Sequence, residues 1–460
     1  MRRVLVAGLD CAAPSLMFDR FLDDLPNTKF LMKSGVYGRL KSCDPPITVP
    51  AWMVMATGRS PGSLGLYGFR YRKYGEYRKF SIASSKSVLA PKVWDVVARH
   101  GGKSCVFAVP PSYPPTRVEG CLVSCFLTPN SKVDYTYPKD LKPELEETVG
   151  EYVPDVLFRT EDKERLLGEL WDMTEQHMKA IMYLLENKQW DFFMFVEIGL
   201  DRAQHAFWKY FDETHHLHIP DSKFKTVVRD YYRLLDRFLG EILDALDRDT
   251  VLLVTSDHGA KAMKGAFSVN DWLMRMGYLK VKGRPEPGVR ISEADVDWEK
   301  TVAWGWGGYY ARIFLNVKGR EPEGLVKPDE YEKVRDKLAY DLKQIRGPNG
   351  EPWNTRVLKP DKIFKVCRGY PPDLMVYFDD LSWRSAGTFG YENPYLPEND
   401  TGPDDAVHDY HGVFVLYDPK GRRRGVRAEM NIMDVAPTVL RIMGLPVPEG
   451  VEGRVVEEVL

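Results

Sequence analysis

Thr250-Val251-Leu252-Leu253-Val254-Thr255-Ser256-Asp257-His258-Gly259 reads as a short buried strand that ends in an aspartate and a histidine. An unbroken apolar and β-branched run of this kind leaves no polar face, so both faces of the strand must be covered. Two further stretches repeat the design. Val4-Leu5-Val6-Ala7-Gly8-Leu9 ends at Asp10, and Phe192-Phe193-Met194-Phe195-Val196-Glu197 leads within a few residues to Asp201. Long amphipathic segments lie between and after them, Lys163 to Lys188 and Asp221 to Leu246, the second carrying Val227, Tyr231, Leu234, Leu235 and Phe238 on one face. Strand and helix therefore alternate. The expected class is α/β, a mostly parallel central sheet with helices on both faces and inserted cap segments.

Working outward, Pro14 to about Leu22 and a segment ending at Lys33 read as helices, Val36 to Lys41 as a strand, Lys92 to His100 as a helix and Ser104 to Val109 as a strand. Ser60 to Tyr77 has no clear period and reads as a loop near the site. The proline-rich Pro110 to Pro143 reads as an irregular surface excursion, and the basic Lys420 to Arg427 as a solvated hairpin tip. From Val281 to Val366 the alternation breaks around one helix, Pro328 to Lys343, which marks an insertion or cap. The core is expected to resume at Asp373-Leu374-Met375-Val376-Tyr377-Phe378. It continues through Gly412 to Tyr417 and a helix from Asn431 to Met443, so that residues 1–280 and 367–460 form the core and 281–366 the insertion.

The 460 residues suffice for two or three domains, and 44% apolar with 28% charged residues is an ordinary globular balance. A net charge of −2 argues against bulk nucleic-acid binding. No apolar run approaches the length of a membrane span, and the apolar stretch at the N-terminus is too short for a signal peptide. The six cysteines form no CxxC pair. Free thiols and a cytoplasmic, soluble protein are the expectation.

The chemistry centres on a second stretch, Pro45-Pro46-Ile47-Thr48-Val49-Pro50-Ala51-Trp52-Met53-Val54-Met55-Ala56-Thr57-Gly58. Pro50 suits a first helical turn and Gly58 a C-terminal stop, which leaves Thr48 at a helix N-terminus where anions are favoured. Such a threonine is ordinarily a plain N-cap. Asp10, Asp201 and Asp257-His258, however, all follow strands, and ligands of open α/β sheets bind at that edge. Asp201 and His205 are four apart at a helix start and face one way. Taken singly each has a bland reading as a cap, a turn or a surface hydrogen bond. Carboxylates and imidazoles gathered at matching strand ends favour a divalent-metal site.

The set resembles the alkaline phosphatase superfamily in its type I phosphodiesterase/nucleotide pyrophosphatase family. The family's Thr-x-Pro, running on to Thr-Gly-x-x-Pro and Gly, is matched by Thr48, Pro50, Thr57, Gly58, Pro61 and Gly65, its Asp-x-x-x-His by Asp201 and His205, and its Asp-His-Gly by Asp257, His258 and Gly259. A late histidine ahead of a glycine and an apolar strand is matched by His408 before Gly412, with His411 open as its replacement. The resemblance covers Asp10 to about Met443 outside the insertion. It implies an alkaline phosphatase-like fold and two divalent ions, zinc or alternatively manganese. Asp10, Asp257 and His258 would hold one ion, which also contacts the Thr48 oxygen, and Asp201, His205 and His408 the other. It further implies hydrolysis of small phosphate diesters or nucleotide pyrophosphates through a phospho-threonine.

There are departures from the pattern. Phe69 stands where an asparagine often donates to the phosphoryl oxygen, and Leu64 where a histidine often precedes Gly65. Arg70 or Arg72 could then supply the missing cation. A phosphomonoesterase or a phosphoryl or head-group transferase on the same two-metal site is the alternative, and a non-catalytic binding relative is the alternative of another class. Cys11 lacks the Cys-x-Pro-Ser-Arg setting of sulfatases and reads as a buried thiol. His215, His216 and His218 read as a mobile surface loop rather than a third metal site. Trp304, Trp306, Tyr309 and Tyr310 could stack on a substrate base or pack the core.

Overall fold

A computed structural model describes residues 1–460. Val4–Leu9, Phe192–Glu197 and Val251–Thr255 are buried along their whole lengths. Side chains alternate across a strand, so each one feeds two cores. Val4 and Val6 point into the core that contains Trp52, whereas Leu5, Ala7 and Leu9 point into the one packed by Leu166, Leu170 and Ile181. The helices Thr48–Thr57, Val93–Arg99 and Val435–Met443 cover the first face, and Lys163–Asn187, Gly199–Phe211 and Val227–Ala245 the second.

The central sheet has nine strands. Their order is Val426–Asn431, Val36–Lys41, His411–Tyr417, Val251–Thr255, Val4–Leu9, Phe192–Glu197, Ser104–Phe107, Gly120–Val123 and Thr136–Tyr137. Five of its eight neighbouring pairs are parallel, so the sheet is mixed but mostly parallel, as the α/β reading requires. Leu9 lies opposite Glu197 and Gly8 opposite Thr255. That register ends three parallel strands at one level and hands Asp10, Asp201 and Asp257 to the same edge.

Several elements differ from expectation. The proline-rich 110–143 stretch contains Gly120–Val123 and Thr136–Tyr137, which extend the sheet. Four residues carry too little periodicity to announce a strand, and pairing with Ser104–Phe107 decides it. The helix expected from Asp221 begins at Val227. The helix expected from Asn431 begins at Val435, because Val426–Asn431 is itself the edge strand, parallel to Val36–Lys41. Lys420 to Arg427 is therefore no hairpin tip: the strands it joins are separated by Val36–Lys41.

Leu374–Tyr377, expected to resume the core, instead joins Ala303–Trp306, Ala311–Leu315 and Arg356–Leu358 in a separate antiparallel sheet. That sheet has its own apolar core, including Trp304, Leu315 and Val376. The turn at 307–310 reaches from it toward the strand ends. Gly307 is required there, since a Cβ would lie 2.3 Å from the Gly387 nitrogen. No helix is long and apolar enough to cross a membrane.

Arg72, one of the two arginines expected to face substrate, is committed elsewhere. Its Nη1 and Nη2 donate to Glu321 at 2.8 and 2.6 Å, and both side chains are wholly buried. Arg72→Ala would leave the buried Glu321 carboxylate only Arg320 Nε at 3.1 Å and the Gly75 nitrogen at 3.0 Å, and is expected to cost about 3 kcal/mol, read by thermal or denaturant unfolding. An unchanged midpoint would contradict this.

Candidate active site

The three strand ends converge on a buried cluster. Gly8 makes the approach possible: a Cβ there would lie 2.5 Å from the Trp52 ring. Trp52 Nε1 can therefore reach across the strand and donate to Asp10 Oδ2 at 2.7 Å. Asp257 Oδ1 accepts from the Cys11 nitrogen at 3.2 Å. His258 Nε2 lies 3.0 Å from Asp257 Oδ2 and 3.8 Å from Asp10 Oδ1. On the helix Gly199–Phe211, Asp201 and His205 fall one turn apart, with His205 Nε2 3.2 Å from Asp201 Oδ1. The strand Ala406–Asp409 pairs with Gly259–Ala262, which sets His408 opposite Ala260. Its Nε2 comes within 3.6 Å of Asp201 Oδ1, and its ring stacks on His258 with centroids 3.7 Å apart.

All three imidazoles are oriented alike. Nδ1 of His408 donates to the Pro46 carbonyl at 2.8 Å, Nδ1 of His258 to the Gly259 carbonyl at 3.2 Å, and Nδ1 of His205 to Asp404 Oδ1 at 2.7 Å. Those partners only accept, so Nδ1 carries the proton and Nε2 faces the cluster. Burial, and then His258, pushes the His408 pKa down to about 3, which keeps its Nε2 lone pair free. Burial would lower His205 as well, but Tyr309, Asp404 and Asp201 hold it well above the usual range, so a cation taken there displaces a proton.

The donors are underused by the protein itself. Asp10 Oδ1, Asp201 Oδ1, Asp257 Oδ2 and His408 Nε2 are buried without a hydrogen-bond partner. Each such orphan costs about 1–3 kcal/mol. Burial, followed by the charges of Asp257 and Asp201, raises the Asp10 pKa well above the carboxylate range. A divalent cation would relieve both burdens, and the residues present fit one. Three overlapping groups have ligand atoms within 4.8 Å of one another: Asp10, Asp257 and His258; Asp201, His258 and His408; Cys11, Asp201 and His205. Cys11, expected as a buried thiol, is buried and also stands among these donors.

Thr48 opens the helix Thr48–Thr57 and is 2% exposed. The N-cap position belongs to Ile47, and no side chain caps the helix, so Thr48 is not a plain cap. Its Oγ1 instead lies 3.3 Å from His258 Nε2. Gly58 ends the helix at φ 65°, as expected.

The structure thus brings together Asp10, Thr48, Asp201, His205, Asp257, His258 and His408. His411 stays outside: it is half-buried, opposite Lys41 on a sheet strand, and belongs to no ligand group. His408→Ala is expected to lower both bound metal and activity by at least about tenfold, and His411→Ala to change neither. Metal analysis with an activity assay checks this, and the reverse pattern would exchange the two roles. His215, His216 and His218 bond three different carbonyls, those of Asp405, Pro397 and Lys209, and do not converge. His215 is buried rather than part of a mobile surface.

Several functional neighbours escaped the sequence reading. Asp404, which orients His205, stands four residues before His408, the same spacing as Asp201 and His205 and the one signal that could have found it. Arg384 and Arg159 bind Asp404 at 2.7 and 3.0 Å, and Arg202 binds Asp201 at 2.7 Å. The aromatic cluster divides. Trp304 is core, whereas Tyr309 stacks on His408 with centroids 3.6 Å apart. A cavity of about 550 Å³ reaches Ile47, the residue before Thr48, and is lined also by Phe69, Trp306, Tyr309 and Tyr310.

Comparison with known proteins shows what the fold and the sequence are similar to. Human ectonucleotide pyrophosphatase/phosphodiesterase 5 shares the fold at TM-score 0.55 and 15% identity, over 100% of this chain and 98% of that one. The murine protein, in an inactive form carrying a threonine-to-alanine substitution and in complex with AMP, matches at TM-score 0.55 and 15% identity, over 97% and 96%. No curated protein sequence matches the chain. The sequence profile described as type I phosphodiesterase / nucleotide pyrophosphatase matches residues 4–404, which takes in all three strand ends, Thr48 and Asp404 and stops just short of His408. On that span the chain belongs to the type I phosphodiesterase/nucleotide pyrophosphatase family and is a hydrolase of its kind.

Proposed function

We propose that the protein hydrolyses phosphate diesters or nucleotide pyrophosphates in a metal-dependent reaction that passes through a phosphorylated Thr48. The carrying observation is a buried threonine hydroxyl with no capping role, 3.3 Å from Nε2 of His258 in a cluster that holds four orphaned ligand atoms. Asp10, Asp257, His258 and the Thr48 oxygen would hold one ion, and Asp201, His205 and His408 the other. Zinc suits this imidazole and carboxylate set, with manganese as the alternative. Bound ions of this kind lower the pKa of a hydroxyl and neutralise charge developing at phosphorus.

The chain's own residues do the rest. Helix packing aims Thr48 Oγ1, which gives up its proton to solvent and forms the new P–O bond as the P–O bond to the leaving oxygen breaks on the far side. Arg202 pairs with Asp155 and Asp201, and Arg159 and Arg384 with Asp404, so these arginines hold in place the carboxylates of and behind the cluster. Tyr309, stacked over His408, keeps bulk water from that side of the cluster. Water then cleaves the phospho-threonine and restores the hydroxyl. The inactive murine relative with alanine in place of a threonine supports this assignment.

Phe69 lines the cavity against Phe126 and presents an apolar wall where an amide donor could stand. One missing donor to an oxyanion is worth about 3 kcal/mol, and a monoester with its extra charge suffers more. Nitrophenyl diesters are therefore expected to exceed monoesters by about tenfold or more in kcat/KM, after loading with zinc, manganese or magnesium. A ratio favouring the monoester would turn the reading to a phosphomonoesterase. No turnover of either would turn it to a binding relative.

A further inference from the structure

His177, on the helix Lys163–Asn187, is wholly buried and belongs to no group of candidate metal ligands. No step of the reaction uses it. Phe107 meets its ring edge-on and Tyr152 lies alongside, an enclosed setting that by itself favours a neutral imidazole. Its hydrogen bonds demand the charged form. Nδ1 lies 2.9 Å from Glu197 Oε2, and Nε2 lies 2.8 Å from the Val153 carbonyl oxygen. A carbonyl oxygen and an ionised carboxylate only accept, so both ring nitrogens carry protons. Glu197 Oε1 is occupied as well, accepting from the Gly199 nitrogen at 2.9 Å and from the Thr174 hydroxyl at 3.2 Å. Three donors thus converge on one carboxylate. Burial alone would lower the His177 pKa, but the charge of Glu197 and the bonds to Glu197 and Val153 raise it above the ordinary histidine value.

The two partners of the ring lead to the same place. Gly199 is the first residue of the helix Gly199–Phe211, which carries Asp201 and His205, so the bond to Glu197 fixes where that helix begins. Val153 stands two residues before Asp155. The Asp155 carboxylate accepts from Arg202 Nε and Nη2 at 2.9 and 2.8 Å, and Arg202 Nη1 donates to Asp201 Oδ2 at 2.7 Å. With Oδ2 engaged, Oδ1 is the Asp201 oxygen left without a partner, and it is the one that approaches His205 and His408. One buried ring therefore ties the backbone under Asp201 to the segment that grips its side chain.

We propose that His177 is a positioning residue for the metal centre, a buried imidazolium that clamps Glu197 and Val153 and so fixes the Asp201 carboxylate for the ion assigned to Asp201, His205 and His408. This rests on the reading of Asp201 as a metal ligand. Groups that orient a ligand typically govern metal affinity by about ten- to a hundredfold. His177 touches neither substrate nor ion, so its effect runs through Glu197 and the Asp155 segment.

Two measurements test it. The first is nitrogen NMR of histidine-labelled, chelator-treated parent protein at about pH 7, above the ordinary histidine pKa of about 6.5. Both His177 ring nitrogens are expected to show the protonated signature, with the signal assigned by its loss in His177→Gln or its displacement in Glu197→Gln. A bare Nδ1 would mean a neutral ring on a protonated Glu197 and would overturn the clamp. The second is calorimetric titration of zinc into chelator-treated protein. His177→Gln and Glu197→Gln should each weaken one of two zinc sites by about tenfold or more and leave the other unchanged. Glu197→Gln keeps the shape and an acceptor for the Gly199 nitrogen, so it reports even if His177→Gln fails to fold. Equal weakening of both sites would mark a merely structural histidine and overturn the proposal. Zinc bound alike by parent and variants overturns it too, while leaving the two-metal reading intact. A parent that binds no zinc removes that reading and this inference with it.

Discussion

Thr48→Ala is expected to lower diester turnover by about 10⁴-fold or more, the scale seen when a catalytic nucleophile is removed. The fold should survive, because the Thr48 hydroxyl caps nothing and its one close polar neighbour is His258 Nε2 at 3.3 Å. The stability lost should stay near 1 kcal/mol. Thr48→Ser keeps the oxygen and should retain part of the activity. The decisive readout is capture of labelled phosphate on the protein after acid quenching, present in the parent and absent from Thr48→Ala. Full activity in the alanine variant would end the covalent mechanism.

Removing divalent metal is expected to have the second largest effect, on activity and on stability together. Ions present at a hundred times their dissociation constant stabilise by about 2.7 kcal/mol per site. The metal-free protein should also show a particular pH dependence. Burial, with Asp257 and Asp201 next, raises the folded pKa of Asp10 above its unfolded value. The stability linked to that proton is present below the unfolded pKa of about 4 and is lost as pH rises through the folded value. Asp201 acts in the opposite sense: burial opposes it, but His205, His408 and Arg202 hold its pKa well below the usual range, so its contribution is lost as pH falls. The difference between parent and Asp10→Asn isolates the first effect. In chelator, the variant should be the more stable protein at neutral pH. With metal the order should reverse, because the variant lacks a charged ligand. Melting curves across pH, with and without chelator, check both halves. A parent that melts identically with and without chelator would remove the two-metal reading.

Strong local signals made much of the molecule legible in advance. Val4–Leu9, Phe192–Glu197 and Val251–Thr255 are too apolar to be anything but interior strands, and each is followed by an acidic residue. The break at Gly58 and the i, i+4 pairing of Asp201 with His205 are equally local. Backbone and side-chain physics within a few residues decides such features, so they can be read from the chain alone.

Long-range pairing decided the others. Gly120–Val123 is a strand because Ser104–Phe107 lies beside it, and Leu374–Tyr377 leaves the main sheet because Ala311–Leu315 offers it a partner. Both readings of the late histidines were open in one dimension, and the pairing of Ala260 with His408 sets His408, and not His411, among the clustered donors. Arg72 and Arg70, two residues apart, were indistinguishable as sequence. The fold sends one to Glu321 in the interior and the other to the cavity. By itself the sequence determined the α/β class, the acidic strand ends and the threonine at a helix start. The tertiary structure alone decided which arginines remain without a carboxylate, that Asp404 orients His205 and that Tyr309 covers His408. Charge compensation and ring stacking between segments about a hundred or more residues apart leave no periodic trace in the chain that folds to make them.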